Sequence, residues 1–377
     1  MKTFYEFFAG GGMARAGLGA TWRCLFANDL SKKKGESYIA NWGDDDLHVG
    51  DINDVDCDAI PAHADLAWAS FPCQDLSLAG NGAGLDGKRS SAFWGYWQLI
   101  RVLKQQGRKP RMIVLENVLG ALTSHEGKDF AAIAAAIFAE DYIFGAMVID
   151  AVHFVPQSRP RLFIVGISKE LTIPLNLLTE EPTKLWHSEA VVRAHQRLSS
   201  LQQANWRWWN PKQPTKNIVA FESLLEQIPN GSGWHSKAET DKLLDSMTDL
   251  NRRKVSQAQQ SGKLTVGTIY RRTRNGIVRA EVRFDGISGC LRTPTGGSSR
   301  QTILLVEGER VRSRLLSARE AARLMGLPEN YKLPASYNEA YHLAGDGVVV
   351  PVVTHLAESL LDPIIAAQSS KTFRAVA

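Results

Sequence analysis

The chain has 377 residues, 44% hydrophobic and 22% charged, with a net charge of +5 and four cysteines. That length supports a large core and two domains, and the composition is that of a globular protein rather than a disordered or fibrous one. Cys24, Cys57, Cys73 and Cys290 are widely spaced with no CxxC pair, which argues against a disulfide framework or a zinc site and fits a reducing cytoplasm.

In chain order, the first eight residues resemble a signal peptide, but Glu6 and the glycine run after Phe8 interrupt the apolar stretch, so no leader is expected. Short apolar strands are predicted at 3–8, 24–28, 66–71, 112–115, 144–149 and 162–167, with helices between several of them, notably 91–106 and 128–140. This alternation predicts an α/β fold, a doubly wound, mostly parallel sheet covered by helices on both faces. No uninterrupted apolar run reaches the ~18 residues of a membrane helix. The stretch 131–139 is too short and reads as helix core.

From about 175 the pattern changes. Residues 186–210 are rich in Gln, Trp and His, and turn signals recur at Pro229-Asn230-Gly231, Asn275-Gly276 and 293–297. We expect a second, smaller irregular domain here, with boundaries 1–174, 175–330 and a returning segment 331–377. Between Arg252 and Arg314 lie 14 Lys or Arg against four acids, a local charge of +10 that leaves −5 for the rest of the chain. Such a block suits a polyanion docking face, although charge alone also allows a solvated surface of mixed use. Trp206, Trp208 and Trp209 read more readily as small-domain core than as a DNA-facing surface.

Three motifs carry chemistry. Phe71-Pro72-Cys73-Gln74 follows a strand, Glu116-Asn117-Val118 closes the apolar strand at 112–115, and Gln157-Ser158-Arg159-Pro160-Arg161 precedes the last strand. Cytosine carbon 5 is too electron-poor to attack a methyl group. A thiolate added at C6 and a proton placed on N3 make the ring an enamine that can attack. Cys73 is the candidate nucleophile. Glu116, in a low-dielectric setting, is the candidate proton donor to N3. Arg159 and Arg161 alternate around Pro160; one would bind the cytosine O2 while the other orders the pocket. The other three cysteines read as buried small hydrophobes. Upstream, Phe8-Ala9-Gly10-Gly11-Gly12 lets a ligand approach the main chain at a helix amino terminus. Arg15 stands where GxGxxG needs its third glycine, which disfavours a dinucleotide and a dehydrogenase. Asp29, 19 residues after Gly10, is placed for ribose hydroxyls, and Asp51 for an adenine amino group.

With these blocks, and with 314–328 and 345–352, the chain resembles the DNA (cytosine-5)-methyltransferase family over nearly its whole length outside the middle region. The resemblance implies a Rossmann-like methyltransferase domain, S-adenosylmethionine as donor, double-stranded DNA as partner, a target base flipped from the duplex and a variable target-recognition domain. It implies a cofactor site of Phe8, Ala9, Gly10, Gly12, Asp29, Leu30, Asp51, Ile52, Pro72, Asp346 and Val348. DNA contacts are expected at Gln74, Ser77, Arg292, Thr293, Gly296, Gly297, Ser298 and Arg300, and 75–93 resembles the loop that closes over DNA. Metal, a membrane and a second subunit are not expected; a cognate restriction endonuclease is a candidate partner without a stable complex. A cytoplasmic, nucleoid-associated location is expected. Departures are Leu30 in place of an aromatic, Ser317 for Thr, Met325 for Gln, and Asp346 where Asn is frequent, which leaves the role of Asp346 open. The tRNA-methylating branch shares the catalytic set, but the inserted basic block favours DNA. An inactive DNA-binding scaffold is disfavoured by the joint presence of Cys73, Glu116 and Arg161.

Overall fold

The computed structural model describes residues 1–72, 92–215, 219–227, 233–274, 276–293 and 300–375, with the main chain alone at 274 and 369–375. The chain forms two compact units. One comprises Met1–Asp150, Pro160–Pro214 and Val350–Ala377, the other Ala151–Arg159 and Thr215–Val349.

In the first unit seven strands, β1 (Lys2–Phe7), β2 (Trp22–Asp29), β3 (Leu47–Val49), β4 (Leu66–Ala69), β5 (Met112–Asn117), β6 (Tyr142–Asp150) and β7 (Pro160–Ser168), form one sheet in the order β3-β2-β1-β4-β5-β7-β6. β1 to β5 run parallel and β7 enters antiparallel between β5 and β6. Six strands are those expected; β3, three residues long at the edge, carries no legible pattern. The central strands β4 and β5 are buried along their whole length, which is why they read as continuous apolar runs. Four helices, α1 (Met13–Leu18), α2 (Lys32–Trp42), α3 (Ala92–Gln105) and α4 (Lys128–Ala139), lie between strands. α4 buries Phe130, Ile133, Ala134 and Ile137, an i, i+3, i+4, i+7 stripe. Each large apolar side chain so buried stabilises by ~1.5–3 kcal/mol.

Residues 175–214, expected to open the second domain, belong instead to this first unit. They supply α5 (Glu189–Gln196), α6 (Ser200–Ala204) and a short ribbon of β8 (Leu178–Thr179) with β9 (Trp208–Trp209). The chain runs along β6, with Phe144 N–H donating to Asn205 O at 3.1 Å and Arg207 N–H to Phe144 O at 2.8 Å. Gly145 makes this approach possible, since a Cβ there would lie 1.9 Å from Arg207 O. Trp206 packs its ring against Phe130 and Phe144, and Trp209 is fully buried. The tryptophan-rich composition that suggested a new domain is therefore the covering of a sheet edge.

The second unit is more regular than expected. Helices α7 (Lys237–Asp245) and α8 (Asp249–Gln260) pack on an antiparallel sheet of β10 (Thr265–Arg274), β11 (Ile277–Arg283), β12 (Thr302–Glu307) and β13 (Arg310–Leu315), ordered β11-β10-β12-β13. Their core holds Leu243, Met247, Val255, Ile269, Val282, Leu304 and Val306. α9 (Ala318–Leu324) and α10 (Tyr337–Asp346) follow, so 331–349 lies in this unit and the return to the first begins at Val350. There α11 (Val350–Leu356) and α12 (Asp362–Ala375) close the chain, and Thr354 Oγ1 donates to Gly17 O of α1 at 2.8 Å. By length and composition Tyr337–Gln368 could cross a membrane, a property the search for uninterrupted apolar runs missed. Gly347 to Val349 are non-helical, and 61% of its most apolar window is buried inside the protein, as core helices are.

Candidate active site

β1 ends at Phe7, and Phe8 turns with φ 58°. This left-handed conformation costs an L-residue ~1–2 kcal/mol, and such strain clusters at functional sites. At Gly12 (φ 76°) a Cβ would come within 2.3 Å of the Trp42 indole nitrogen, whose N–H donates to Gly11 O at 3.0 Å. The Gly10 N–H donates to one Asp29 oxygen and the Ser31 N–H to the other, both at 2.8 Å. Gly50 N–H donates to Asp29 O, and Asn28 Nδ2 to Gly50 O, both at 3.0 Å. These bonds join the turn after β1, the end of β2 and the loop after β3 into one rim. Phe8, Ala9, Gly10, Gly12, Asp29, Leu30, Asp51 and Ile52 all lie on it.

The rim fits S-adenosylmethionine. A Cβ at Gly10 would meet no atom within 4 Å, so a ligand can reach the main chain there. Leu30 is 69% exposed, an apolar surface beside the carboxylates. Each Asp29 oxygen has capacity for an acceptor bond beyond the one it makes to an N–H. Beneath the turn sits a group noted in the sequence only as a break in the first apolar stretch. Glu6, 1% exposed, accepts the Arg15 N–H at 3.3 Å. Burial pushes its carboxyl up to about 8 against the lowering effect of the Arg15 N–H and guanidinium. Arg15, noted only as a break in a glycine pattern, donates to Tyr38 Oη at 2.8 Å and pairs with Asp46 at 3.2 Å.

Next along the sheet, the ends of β4 and β5 and the start of β7 meet. Glu116 is buried at the end of β5, and Arg161 Nε lies 3.3 Å from its Oε1. The adjacent Asn117 is buried too; its Nδ2 donates to Phe71 O at 3.1 Å and its Oδ1 accepts the Val118 N–H at 2.8 Å. The Glu116-Asn117-Val118 block thereby grips the main chain two residues before Cys73. Phe71 is buried and Pro72 exposed. Cys73, Gln74 and Ser77 lie outside the described residues, as do Gly296, Gly297, Ser298 and the loop 75–91.

Arg159 works differently from Arg161. It is buried within the second unit, where its guanidinium donates to Leu291 O at 2.8 Å, Gly345 O at 2.9 Å and Gly347 O at 2.7 Å. Cys290 Sγ, expected to be a buried hydrophobe, is half-buried and 3.3 Å from the same guanidinium. Gln157 is fully buried, with Nε2 donating to Leu324 O at 2.8 Å and Oε1 accepting the Leu291 N–H at 3.1 Å. Thr293, expected on DNA, donates its hydroxyl to Asp346, expected on the cofactor. Val348 is buried, Arg292 is exposed, and Arg300 bonds Asn338 with its guanidinium 5.3 Å from the Tyr337 ring centre. Within the basic block Arg314 is not available to a partner. It is buried in a two-pronged pair with Glu320 at 2.7 and 2.6 Å. Ser317 caps α9 in a reciprocal box with the same glutamate, and Met325 is fully buried, so both departures from the family pattern are accommodated in packing.

Among the described residues no group of three or more His, Cys, Asp or Glu is placed to hold a metal. A cavity of about 640 Å³ in the first unit is lined by Leu175, His195, Trp206 and Trp208 among others, and contains none of the residues of the strand-edge site. Burial lowers His195 and takes the neighbouring His187 to about 4, so both rings are neutral near pH 7.

A family model described as C-5 cytosine-specific DNA methylase matches residues 2–362. The chain is 26% identical over 362 residues to type II methyltransferase M1.ScrFI of Lactococcus lactis subsp. cremoris, covering 95% of this chain and 77% of that protein. It is 27% identical over 379 residues to type II methyltransferase M.DsaV of Dactylococcopsis salina, covering 99% and 90%. Among solved structures, S. pombe Dnmt2 methyltransferase superposes with a TM-score of 0.60 at 19% identity, over 96% of this chain and 99% of that one. At that identity the likeness concerns the fold.

Proposed function

This chain belongs to the C-5 cytosine-specific DNA methylase family, and on that premise we propose how its residues carry out the reaction. It is an enzyme that methylates DNA cytosine at carbon 5 with S-adenosylmethionine as donor. The observation that carries the residue assignment is the joint between β4 and β5, where Asn117 holds Phe71 and Arg161 holds Glu116.

The Cys73 thiolate forms a bond to C6 of a cytosine flipped out of a double-stranded target. The electron pair displaced from the 5,6 double bond is drawn toward N3, which takes a proton through Glu116, and the ring becomes an enamine with a nucleophilic C5. Arg161 orients Glu116 and donates to the cytosine O2. Arg159 orders the main chain of the second unit. Phe8, Gly10, Asp29, Leu30 and Asp51 would hold S-adenosylmethionine, which would supply an electrophilic methyl group for C5 to attack, the donor sulfur leaving as a neutral thioether. Loss of the C5 proton, departure of Cys73 from C6 and return of the N3 proton to Glu116 restore the aromatic ring, the free thiolate and the proton donor.

The second unit is the target-recognition domain. Arg292, Thr293 and Arg300, with Gln74, Ser77, Gly296, Gly297 and Ser298, are assigned to DNA, and Asp346 and Val348 to the cofactor side. The type II designation of the relatives supports a restriction-modification role, with a cytoplasmic monomer that forms no stable complex with its endonuclease. Bisulfite sequencing of plasmid from cells expressing the wild type, with Cys73→Ala as control, tests the reading. Protection of cytosines at one recurrent sequence by the wild type alone is expected. Full activity in the Cys73→Ala protein would falsify the covalent step, and absence of protection with soluble wild-type protein would refute DNA as substrate.

A further inference from the structure

We infer that Trp42 is a positioning residue for the glycine turn and sets the affinity for the methyl donor; this deepens the proposed function and rests on its assignment of that turn to S-adenosylmethionine. Trp42 is the last residue of α2. Its indole N–H donates to Gly11 O at 3.0 Å. The N–H of the same peptide, on Gly12, donates to Ala9 O at 2.8 Å. The peptide between Gly11 and Gly12 is fastened at both polar groups, one of them by a side chain 31 residues away.

Fastening matters here because glycine resists it. Gly10, Gly11 and Gly12 follow one another, with Gly10 at φ 57° and Gly12 at φ 76°. Glycine visits both signs of φ readily, so such a run does not hold one shape by itself. A side chain at Gly12 cannot restrict it, since a Cβ there would lie 2.3 Å from the indole nitrogen. The bond from Trp42 supplies the order that the turn lacks. The Gly10 N–H in that turn donates to Asp29, so a turn that changes shape also releases the carboxylate proposed for the ribose.

Trp42 is itself held. The Arg15 guanidinium lies 5.2 Å from the centre of the Trp42 ring and 5.6 Å from that of Tyr38. It donates to Tyr38 Oη and pairs with Asp46, and Tyr38 is fully buried. A cation placed over ring faces and out of water attracts them more strongly than an exposed one. The indole is the arm of this bracket that reaches the turn. A turn holding the competent shape in roughly a tenth of molecules binds its ligand ~10-fold more weakly. The turn faces the cofactor and not the cytosine, so the loss falls on cofactor binding and spares kcat.

The test compares wild type, Trp42→Phe, Arg15→Lys and Trp22→Phe. Trp42→Phe keeps a ring for Arg15 and removes the N–H. Trp22→Phe is the matched control, because Trp22 is buried in the same unit and its indole N–H donates to Asp362 Oδ1 at 3.0 Å. Calorimetric titration with S-adenosylmethionine and with its thioether product, S-adenosylhomocysteine, reads affinity without DNA, and steady-state methyl transfer reads kcat and KM. Trp42→Phe is expected to weaken both ligands and raise cofactor KM by ~5–20-fold, with kcat and the KM for DNA changed less than ~3-fold. Arg15→Lys keeps the charge and loses the flat partner of the indole, and a loss of ~2–5-fold in the same constants is expected. Trp22→Phe should bind both ligands as the wild type does. Wild-type affinity in Trp42→Phe, equal losses in Trp42→Phe and Trp22→Phe, a larger loss in Arg15→Lys than in Trp42→Phe, or a loss confined to kcat overturns the bracket. A wild-type protein that takes up neither ligand overturns the functional reading instead.

Discussion

Replacing Asn117 by Ala tests how the site holds its nucleophile. The side chain is buried and makes two bonds to main chain, donating to Phe71 O at 3.1 Å and accepting the Val118 N–H at 2.8 Å. Truncation leaves a buried carbonyl and a part-buried N–H without these partners. At ~1–3 kcal/mol for each stranded group, the loss of folding stability is expected at ~2–4 kcal/mol, the lower half of the sum because water can enter the vacated space. The effect on catalysis follows from position. Phe71 precedes Cys73 by two residues, and a displacement of about 1 Å at a reacting atom costs ~100-fold in rate. Asn117→Asp separates the two effects, since it keeps the acceptor for Val118 and sets an oxygen against the Phe71 carbonyl. Single-turnover methyl transfer on a substrate duplex, with urea unfolding in parallel, reads both. Both variants should lose kcat by ~10–100-fold with KM for S-adenosylmethionine changed less than ~3-fold. Variants that turn over at the wild-type rate, or that lose only cofactor affinity, would show that Asn117 does not position the nucleophile.

Glu6 gives a pH prediction. Its carboxyl titrates at about 8 in the folded protein because of burial, against ~4.3 in an unfolded chain. Between these values the native state holds a proton that the unfolded state has released. The stability linked to Glu6 is therefore full below ~4.3 and is lost toward pH 8 with a limiting slope of ~1.4 kcal/mol per pH unit. Glu6→Gln should remove that slope, so urea midpoints of variant and wild type diverge in favour of the variant from pH 5 to 8; parallel profiles would count against a buried proton. Gly145→Ala would drive a Cβ to 1.9 Å from Arg207 O, and a loss of ~3 kcal/mol is expected, read as a lowered Tm. An unchanged Tm would mean that residues 205–209 do not need their close approach to β6. Glu320→Gln strands Arg314, whose side chain is 2% exposed. A loss of ~3–5 kcal/mol is expected in the second unit's urea unfolding, and a loss below ~1 kcal/mol would show that the pair is not desolvated.

Much of this was legible in the chain because the chemistry is local. The strand endings, the glycine turn and Glu116 each sit within a few residues of the pattern that marks them, and parallel strands buried on both faces announce themselves as apolar runs. The part that escaped depends on pairings across long separations. Trp206 reads as the core of another domain because the stretch 186–210 is rich in Gln, Trp and His, whereas its neighbours in space are Phe130 and Phe144. The second unit looked irregular because its turn signals stand out, while its four strands alternate short buried and exposed stretches that a composition shift conceals.

The two arginines around Pro160 show the same limit at the shortest range. Alternation in an extended segment places them alike, and chemistry alone left open which one meets the base. The division of the chain distinguishes them, because the first unit resumes at Pro160. Arg159 spends its donors on the carbonyls of Leu291, Gly345 and Gly347, and Arg161 turns to Glu116. A guanidinium has five N–H donors, and one already directed at three main-chain oxygens is a structural fastener. The partner of the buried carboxylate at the strand end is the one we propose for the base. Losing Arg159 should therefore cost stability of the second unit before it costs chemistry, and losing Arg161 the reverse. Urea unfolding and single-turnover rates of Arg159→Lys and Arg161→Lys would expose an inverted assignment.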